Sequence, residues 1–78
     1  MYAPESIDQT LASALRRLRR ERDLTQEELA YRAGITVAAL ARIERGCASP
    51  QWTTVMRIIG ALEVNLSELS FEVEHAVV

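Results

Sequence analysis

Residues 24–46 read LTQEELAYRAGITVAALARIERG, and this stretch decides the fold class. Thr25 and Glu28 stand three positions apart as a capping box, which predicts the start of a helix. Gly34 suits the left-handed residue just past the end of that helix, and Thr36 can cap a second one. The stretch therefore predicts two short helices joined by a tight turn.

The two helices are predicted over about 26–33 and 37–45, and Gly46 closes the second. Ala30 is small at the point where the second helix must cross closely over the first. Two helices of about eight residues joined by a turn that contains glycine have the geometry of a helix-turn-helix. The motif spans about residues 26–45 here. Its second helix can enter the major groove of DNA.

Helical patterns continue on both sides of this motif. Upstream, apolar residues recur at every third or fourth position, which predicts a helix over about 7–21 with Ser6 and Gln9 as its capping box. Downstream, Pro50 suits the first turn of a fourth helix. The apolar stripe of that helix places Trp52 in the core.

The last residues of the chain fit two patterns. Leu66 and Leu69 follow helical spacing after a predicted cap at Asn65, whereas the residues from 71 onward alternate and carry the β-branched residues of a strand. We predict a short fifth helix to about residue 71 and then an extended or frayed end. The 78 residues are thus expected to form one all-α domain of five helices, with a tail at about 72–78 whose structure the sequence leaves open.

The composition excludes several classes of protein. Cys47 is the only cysteine and His75 the only histidine, so neither a disulfide framework nor a structural metal site is expected. The same residues supply no catalytic triad, metal-activated water or glycine-rich phosphate loop, which argues against an enzyme and against a cofactor. Because the apolar stretches are far shorter than the roughly 18–20 residues that span a bilayer, we expect a soluble, cytoplasmic protein without membrane association.

Charge is distributed unevenly along the chain. The net charge of −2 and the pI of 5.3 argue against a nucleic-acid partner. All nine basic residues are arginines that lie between Arg16 and Arg57, however, and residues 16–57 carry a net charge of +4, against −2 before them and −4 after them. A basic centre between acidic ends is compatible with DNA binding, although the arginines of the first helix could equally form a solvated face.

Several of these motifs, taken in order and spacing, resemble the phage repressor/Cro-type (XRE-like) helix-turn-helix family over about residues 15–70. The resemblance is carried by LTQEELA at 24–30, Gly34-Ile35-Thr36, Ile43-Glu44-Arg45-Gly46, Pro50 and Ala61-Leu62. A weaker resemblance, in Leu29-Ala30-Tyr31-Arg32 and Ile43-Glu44-Arg45, is to the small controller proteins of restriction-modification systems. The resemblance implies a repressor-like bundle whose recognition helix, about 37–45, lies in the major groove.

The resemblance also implies which side chains contact DNA. Gln26 would hold a phosphate together with the N-terminus of its helix, and Thr36 would touch phosphate unless it acts as a cap alone. Arg42 matches a base-reading position, and its guanidinium suits guanine O6 and N7, the alternative being a simple phosphate clamp. Arg45 would reach the DNA backbone or the groove edge, unless it is only a solvated surface residue.

Three departures from the family pattern change the expected mode of recognition. Val37 and Ala38 occupy positions that often carry long polar side chains, and here they offer only apolar contact to thymine methyl groups. The loop at 47–49 lacks the lysine or arginine that usually contacts phosphate. We therefore expect DNA affinity to depend less steeply on salt and specificity to depend more on DNA shape. Glu63 stands where glycine often ends the fourth helix, so a modest local strain is expected if this residue is left-handed.

Two further pairs of residues are expected to have structural roles, the first because of the same resemblance and the second because of its helical spacing. Arg19 and Glu44 match an ion pair that bridges the first helix to the end of the recognition helix. Leu66 and Leu69 are the expected apolar contact if the fifth helix packs against its two-fold mate. Both roles support DNA binding without touching DNA.

The expected function is that of a sequence-specific DNA-binding transcriptional regulator, acting as a homodimer on a two-fold operator in double-stranded DNA. The alternative is an antitoxin or adaptor type of interaction module, with a protein partner and secondary DNA binding. A C-terminal strand over residues 71–78 could pair with its mate from a second copy or with the edge of a partner's sheet. The conformation of the tail therefore discriminates between the two hypotheses.

Overall fold

The computed structural model describes residues 7–76, which form five α-helices and no strand. The helices are α1 (Ile7–Glu21), α2 (Gln26–Ala33), α3 (Val37–Glu44), α4 (Trp52–Leu62) and α5 (Leu66–Ala76). The predicted all-α bundle is confirmed, and the predicted bounds of the first two helices coincide with those of α1 and α2. The predicted cap Ser6 lies outside the described residues.

Local hydrogen bonds and one glycine fix the start of α2 and the turn between α2 and α3. Thr25 Oγ1 accepts from the backbone N–H of Glu28 at 3.0 Å, and the Thr25 N–H donates to the Glu28 carboxylate at 2.8 Å. This second bond lowers the pKa of Glu28 below its ordinary value. Gly34 has a φ of +72°, which glycine adopts without steric cost, and Thr36 Oγ1 accepts from the N–H of Ala39 at 3.0 Å.

The core lies inside the five helices, and the helix-turn-helix packs on α1 through α3 and on α4 through α2. Helix α1 contacts α3 and α5, whereas α2 contacts α3 and α4. Each helix contributes its apolar stripe, and the largest fully buried apolar side chains are Leu15, Leu29, Leu40, Ile58 and Leu62. Helix α3, the predicted recognition helix, is thus fixed from behind by α1 and α2.

Trp52 does not belong to the core, so that prediction is wrong. Its side chain is 60% exposed, and Met56, one turn further along α4, is also exposed. The spacing of Trp52 with Val55 suggested a continuous stripe, but the buried stripe of α4 begins only at Val55. Trp52 is the first residue of α4, and the first turn of this helix extends past the region that packs on the core.

The exposure of Trp52 predicts a small effect of truncation. We expect Trp52→Ala to lower the free energy of unfolding by less than about 1 kcal/mol, since surface substitutions rarely cost more. A core tryptophan would cost about 3–5 kcal/mol. Urea unfolding followed by far-UV circular dichroism measures the difference, with Leu40→Ala as the buried control at about 2–5 kcal/mol. A loss above about 3 kcal/mol for Trp52→Ala would place this side chain back in the core.

The tail is helical through Ala76, so the predicted extended segment is wrong for residues 72–76. The predicted cap is present: Asn65 Oδ1 accepts from the N–H of Glu68 at 2.8 Å, and the Asn65 N–H donates to the Glu68 carboxylate at 2.9 Å. Leu69 is buried in the core, and Val73 packs against it. Packing against α1 overrides the local β-propensity of these residues. The last two residues, 77–78, lie outside the described part of the chain.

Glu63 ends α4 in the left-handed conformation expected from its position. Its φ is +61°, and the following N–H of Val64 donates to the carbonyl of Ile59 at 3.1 Å. Glycine is the usual residue here because a Cβ is strained at positive φ. The helix end is therefore formed at a modest conformational cost.

Candidate nucleic-acid interface

Helix α3 has a sharply divided surface. Leu40, Ile43 and Glu44 are buried, whereas the residues predicted to face DNA lie on the opposite side. Val37, Ala38, Arg42 and Arg45 are all exposed, and Thr36 is exposed at the N-cap. The structure therefore brings the predicted DNA-contacting residues of α3 onto one accessible face.

The chemistry of this face is simple. Arg42 has one weak contact, from its Nη2 to the carbonyl of Cys47 at 3.5 Å, and Arg45 follows as the C-cap of α3. Between them and Thr36 the outward side chains are the apolar Val37 and Ala38. Such a surface can donate guanidinium hydrogen bonds at one end and make apolar contacts at the other.

Glu44 is the centre of a polar network behind this face. Its carboxylate is only 1% exposed and accepts from Arg19 Nε at 2.8 Å and from Arg19 Nη2 at 3.0 Å. The expected Arg19–Glu44 ion pair is therefore present, with two parallel hydrogen bonds. Arg19 Nη1 also donates to the carbonyl of Leu24 at 2.9 Å, so α1, the turn before α2, and α3 are joined.

Two members of this network were missed in the sequence. Arg16 donates to the backbone carbonyl of Glu44, which satisfies an acceptor at the end of α3. Gln26 Nε2 donates to Glu44 Oε1 at 3.0 Å. Arg16 and Arg19 are three positions apart on one face of α1, and this spacing is the sequence signal that could have indicated a shared partner.

Gln26 has a more restricted geometry than the sequence indicated. It is the first residue of α2, half-buried beside the Thr25 cap. One of its two amide hydrogens is used by Glu44. The same nitrogen carries a second hydrogen beside the N-terminus of α2. This hydrogen can be donated in a hydrogen bond to a phosphate oxygen.

A second link joins α1 to the turn after α3. Gln9 Nε2 donates to the carbonyl of Arg45 at 3.1 Å and lies 3.4 Å from that of Gly46. Gly46 has a φ of +73°, and a Cβ there would come within 2.2 Å of Gln9 Nε2. Gly46 therefore closes α3, as predicted, and also leaves the space that this contact needs.

Much of the arginine run of α1 is used within the protein. Arg16 and Arg19 bind Glu44, while Arg17 pairs with Glu21 at 3.3 Å and with Glu72 at 3.4 Å. The positive charge that the sequence concentrates in α1 is thus partly neutralised. Arg42 and Arg45 are the arginines exposed on the outward face of α3 and at its C-cap.

The predicted dimer residues have different environments. Leu66 is exposed at the start of α5, whereas Leu69 is buried in the core of its own chain. Phe71, which sequence reasoning did not select, is exposed and stacks on His75 with ring centroids 3.9 Å apart. Among the described side chains of α5, the large apolar ones that are exposed are therefore Leu66 and Phe71.

Across residues 7–76 no group of three or more histidine, cysteine, aspartate or glutamate side chains is arranged to hold a metal ion. Cys47 has a free, exposed thiol. Among the same five helices, none is long and apolar enough to cross a membrane.

Comparison with known proteins identifies the family. A family model described as a helix-turn-helix domain matches residues 10–70. The immunity repressor protein of Bacillus phage phi105 is 35% identical over 60 residues, which cover 77% of this chain and 42% of the repressor. The uncharacterized HTH-type transcriptional regulator y4dJ of Sinorhizobium fredii is 41% identical over 59 residues, covering 76% of this chain and 77% of that one.

Solved structures show the same fold. The restriction-modification controller protein C.AhdI from Aeromonas hydrophila is 27% identical, with a TM-score of 0.77 over 80% of this chain and 94% of that one. The clp gene regulator ClgR from C. glutamicum has a TM-score of 0.88 at 22% identity, over 94% and 95%. The controller protein C.Esp1396I, as a tetramer in complex with its natural 35 base-pair operator, has a TM-score of 0.87 at 21% identity, over 91% and 93%. The chain belongs to the XRE-type helix-turn-helix family of DNA-binding transcriptional regulators, a family of non-enzymatic proteins.

Proposed function

We propose that this protein is a sequence-specific transcriptional regulator that binds a two-fold operator as a homodimer, with α3 in the major groove. The observation that carries the proposal is the divided surface of α3. Leu40, Ile43 and Glu44 hold the helix from behind, and Arg42 and Arg45 are exposed on its outer side. A rigidly held helix with accessible guanidinium groups is the arrangement that base-edge recognition requires.

Each polar residue around α3 has a distinct role in this proposal. Arg42 donates to guanine O6 and N7, and Arg45 contacts the DNA backbone near the end of the helix. Gln26 and Thr36 stand at the starts of α2 and α3, where unpaired backbone N–H groups also favour phosphate. Thr36 Oγ1 accepts the cap hydrogen bond, which leaves the hydroxyl hydrogen as a donor.

Random-site selection tests the proposal directly. The full chain is incubated with a library of duplexes at moderate salt, and bound sequences are recovered over several rounds. We expect a two-fold sequence whose half-site centres are about 34–36 Å apart, or a multiple of that distance. Recovery of no preferred sequence would refute the proposal.

The proposed dimer surface is the exposed side of α5. Leu66 is 45% exposed and Phe71 is 58% exposed, and both line a shallow groove with Ser67, Ser70 and Glu74. We infer that a second copy covers this groove, because a two-fold operator needs two recognition helices and an isologous contact supplies them. Phe71 replaces Leu69 in the interface expected from the sequence, since Leu69 is already buried.

A charge at Phe71 is expected to separate the two subunits. We expect Phe71→Glu to sediment as a monomer at concentrations where the wild-type chain sediments as a dimer, because a carboxylate in an apolar contact is costly to desolvate. Tyr31→Glu is the matched control, since Tyr31 is also an exposed aromatic residue but lies on α2. An unchanged dimer in Phe71→Glu would place the interface elsewhere on the chain.

The apolar start of α3 predicts a dependence on thymine methyl groups. Replacing the thymines opposite Val37 and Ala38 by deoxyuridine removes only the C5-methyl, and we expect affinity to fall about fourfold per contacted methyl. Fluorescence anisotropy with the selected operator measures the loss. Deoxyuridine at thymines outside the half-sites is the control, and equal effects at both sets of positions would contradict methyl recognition.

A further inference from the structure

We propose that Glu44 is a positioning residue for DNA binding, which acts by holding the Gln26 side chain in the orientation that contacts phosphate. This inference rests on the proposed function, because it assumes that Gln26 meets DNA. The observation behind it is the 3.0 Å hydrogen bond from Gln26 Nε2 to Glu44 Oε1. The two residues lie on different helices of the motif, α2 and α3.

The carboxylate determines which end of the glutamine amide faces the protein. A carboxylate only accepts hydrogen bonds, so it attracts the amide nitrogen of Gln26 and repels its carbonyl oxygen. The nitrogen carries a second hydrogen, which points away from Glu44 and can be donated to an anion outside. In the opposite orientation the amide oxygen of Gln26 would face the Glu44 carboxylate. Two hydrogen-bond acceptors would then meet, and no hydrogen bond would form.

The negative charge of Glu44 does not oppose phosphate binding in this arrangement. Arg19 neutralises it through two hydrogen bonds, and the Glu44 carboxylate is almost completely buried. The backbone carbonyl of Glu44 accepts from Arg16, so the residue is fixed at both its backbone and its side chain. Gln26 therefore binds to a rigid and electrically balanced acceptor.

The consequence is that the phosphate contact of α2 and the base contacts of α3 share one support. A glutamine side chain loses rotamer freedom when it is held, and here that loss occurs during folding instead of during DNA binding. Without the acceptor, Gln26 would sample several rotamers in the free protein. The operator affinity would then be multiplied by the fraction of time that Gln26 spends in the productive orientation, and so would fall.

Glu44→Asp tests the positioning role. The shorter side chain keeps a negative charge for Arg19 but withdraws the acceptor from Gln26. We expect operator affinity, measured by anisotropy on the selected duplex, to fall roughly threefold to tenfold. In a Gln26→Ala background the same change is expected to have no further effect, because the side chain that it positions is gone.

Ile58→Val is the control for a purely structural effect. It removes one methyl group from the buried face of α4 and leaves Arg19, Glu44 and Gln26 unchanged, so we expect a lower unfolding midpoint and an operator affinity close to that of wild type. All affinities are measured well below the unfolding transition. A methylphosphonate scan adds a second readout: one neutralised phosphate is expected to weaken wild type and to have a smaller effect on Glu44→Asp.

A second variant keeps the test valid if Glu44→Asp does not fold. Arg19→Met with Glu44→Leu replaces both buried charges by apolar side chains, an exchange that proteins often tolerate. The same loss of affinity is expected, again absent in the Gln26→Ala background. An equal loss with and without Gln26, or no loss in either background, would overturn the inference. If wild type itself selects no operator, the proposed function fails first.

Discussion

Replacing Arg42 by alanine is expected to abolish the preference for one G·C base pair in each half-site, at a cost of about 1–3 kcal/mol of discrimination. The guanidinium is exposed on the outer face of α3, and within residues 7–76 it makes one weak hydrogen bond, to the carbonyl of Cys47. It is therefore available to donate two hydrogen bonds to guanine. Alanine can make neither bond. The selected operator and a duplex changed at that base pair should therefore bind this variant equally well.

The measurement compares the selected operator with a duplex changed at that base pair, for wild type, Arg42→Ala and Arg45→Ala. We expect Arg45→Ala to weaken both duplexes by a similar factor, since its proposed contact is to the backbone and carries no sequence information. If Arg42→Ala also lowered both affinities equally, Arg42 would be a phosphate clamp. That was the alternative that the sequence left open.

Replacing Arg19 by alanine is expected to lower the free energy of unfolding by about 3–5 kcal/mol. The substitution leaves the Glu44 carboxylate, which is only 1% exposed, without its two strongest donors. A loss of this size is a large part of the roughly 5–15 kcal/mol that stabilises a typical domain. Urea unfolding followed by far-UV circular dichroism gives the value.

Arg17→Ala is the matched control for this prediction. Arg17 is also on α1 and also pairs with glutamates, at 3.3 Å and 3.4 Å, but its side chain is largely exposed. Exposed pairs contribute less than about 1 kcal/mol, so we expect little change in the unfolding midpoint. Similar losses for the two arginines would mean that the burial of Glu44 does not determine the effect.

Local signals predicted most of the fold. The capping pairs Thr25–Glu28 and Asn65–Glu68 close hydrogen bonds over three residues, so both partners are visible in a short stretch of sequence. The positions of Gly34 and Glu63 at left-handed helix ends follow from the same short-range geometry. The bounds of α1, α2 and α3 were therefore predictable to within one residue, whereas the end of α5 was not.

Residues whose environment depends on distant parts of the chain were harder to predict. The tail was ambiguous because its β-branched residues favour a strand, and only packing of Val73 against the core decides for a helix. Gln26 reaches Glu44 across 18 positions, and Gln9 reaches Arg45 across 36. Periodicity contains no information about such contacts. Leu69 likewise shows helical spacing, but spacing does not distinguish a core residue from a dimer contact.

The position of Trp52 determines what an optical experiment on this protein reports. The chain contains one tryptophan, and it lies on the outer side of α4, away from the core. Its fluorescence in the native state should already resemble that of an indole in water and should change little on unfolding. A shift of the emission to shorter wavelength, or protection from a soluble quencher, would instead signal that another molecule covers this side of α4. The native chain thus carries an intrinsic probe for partners at that surface.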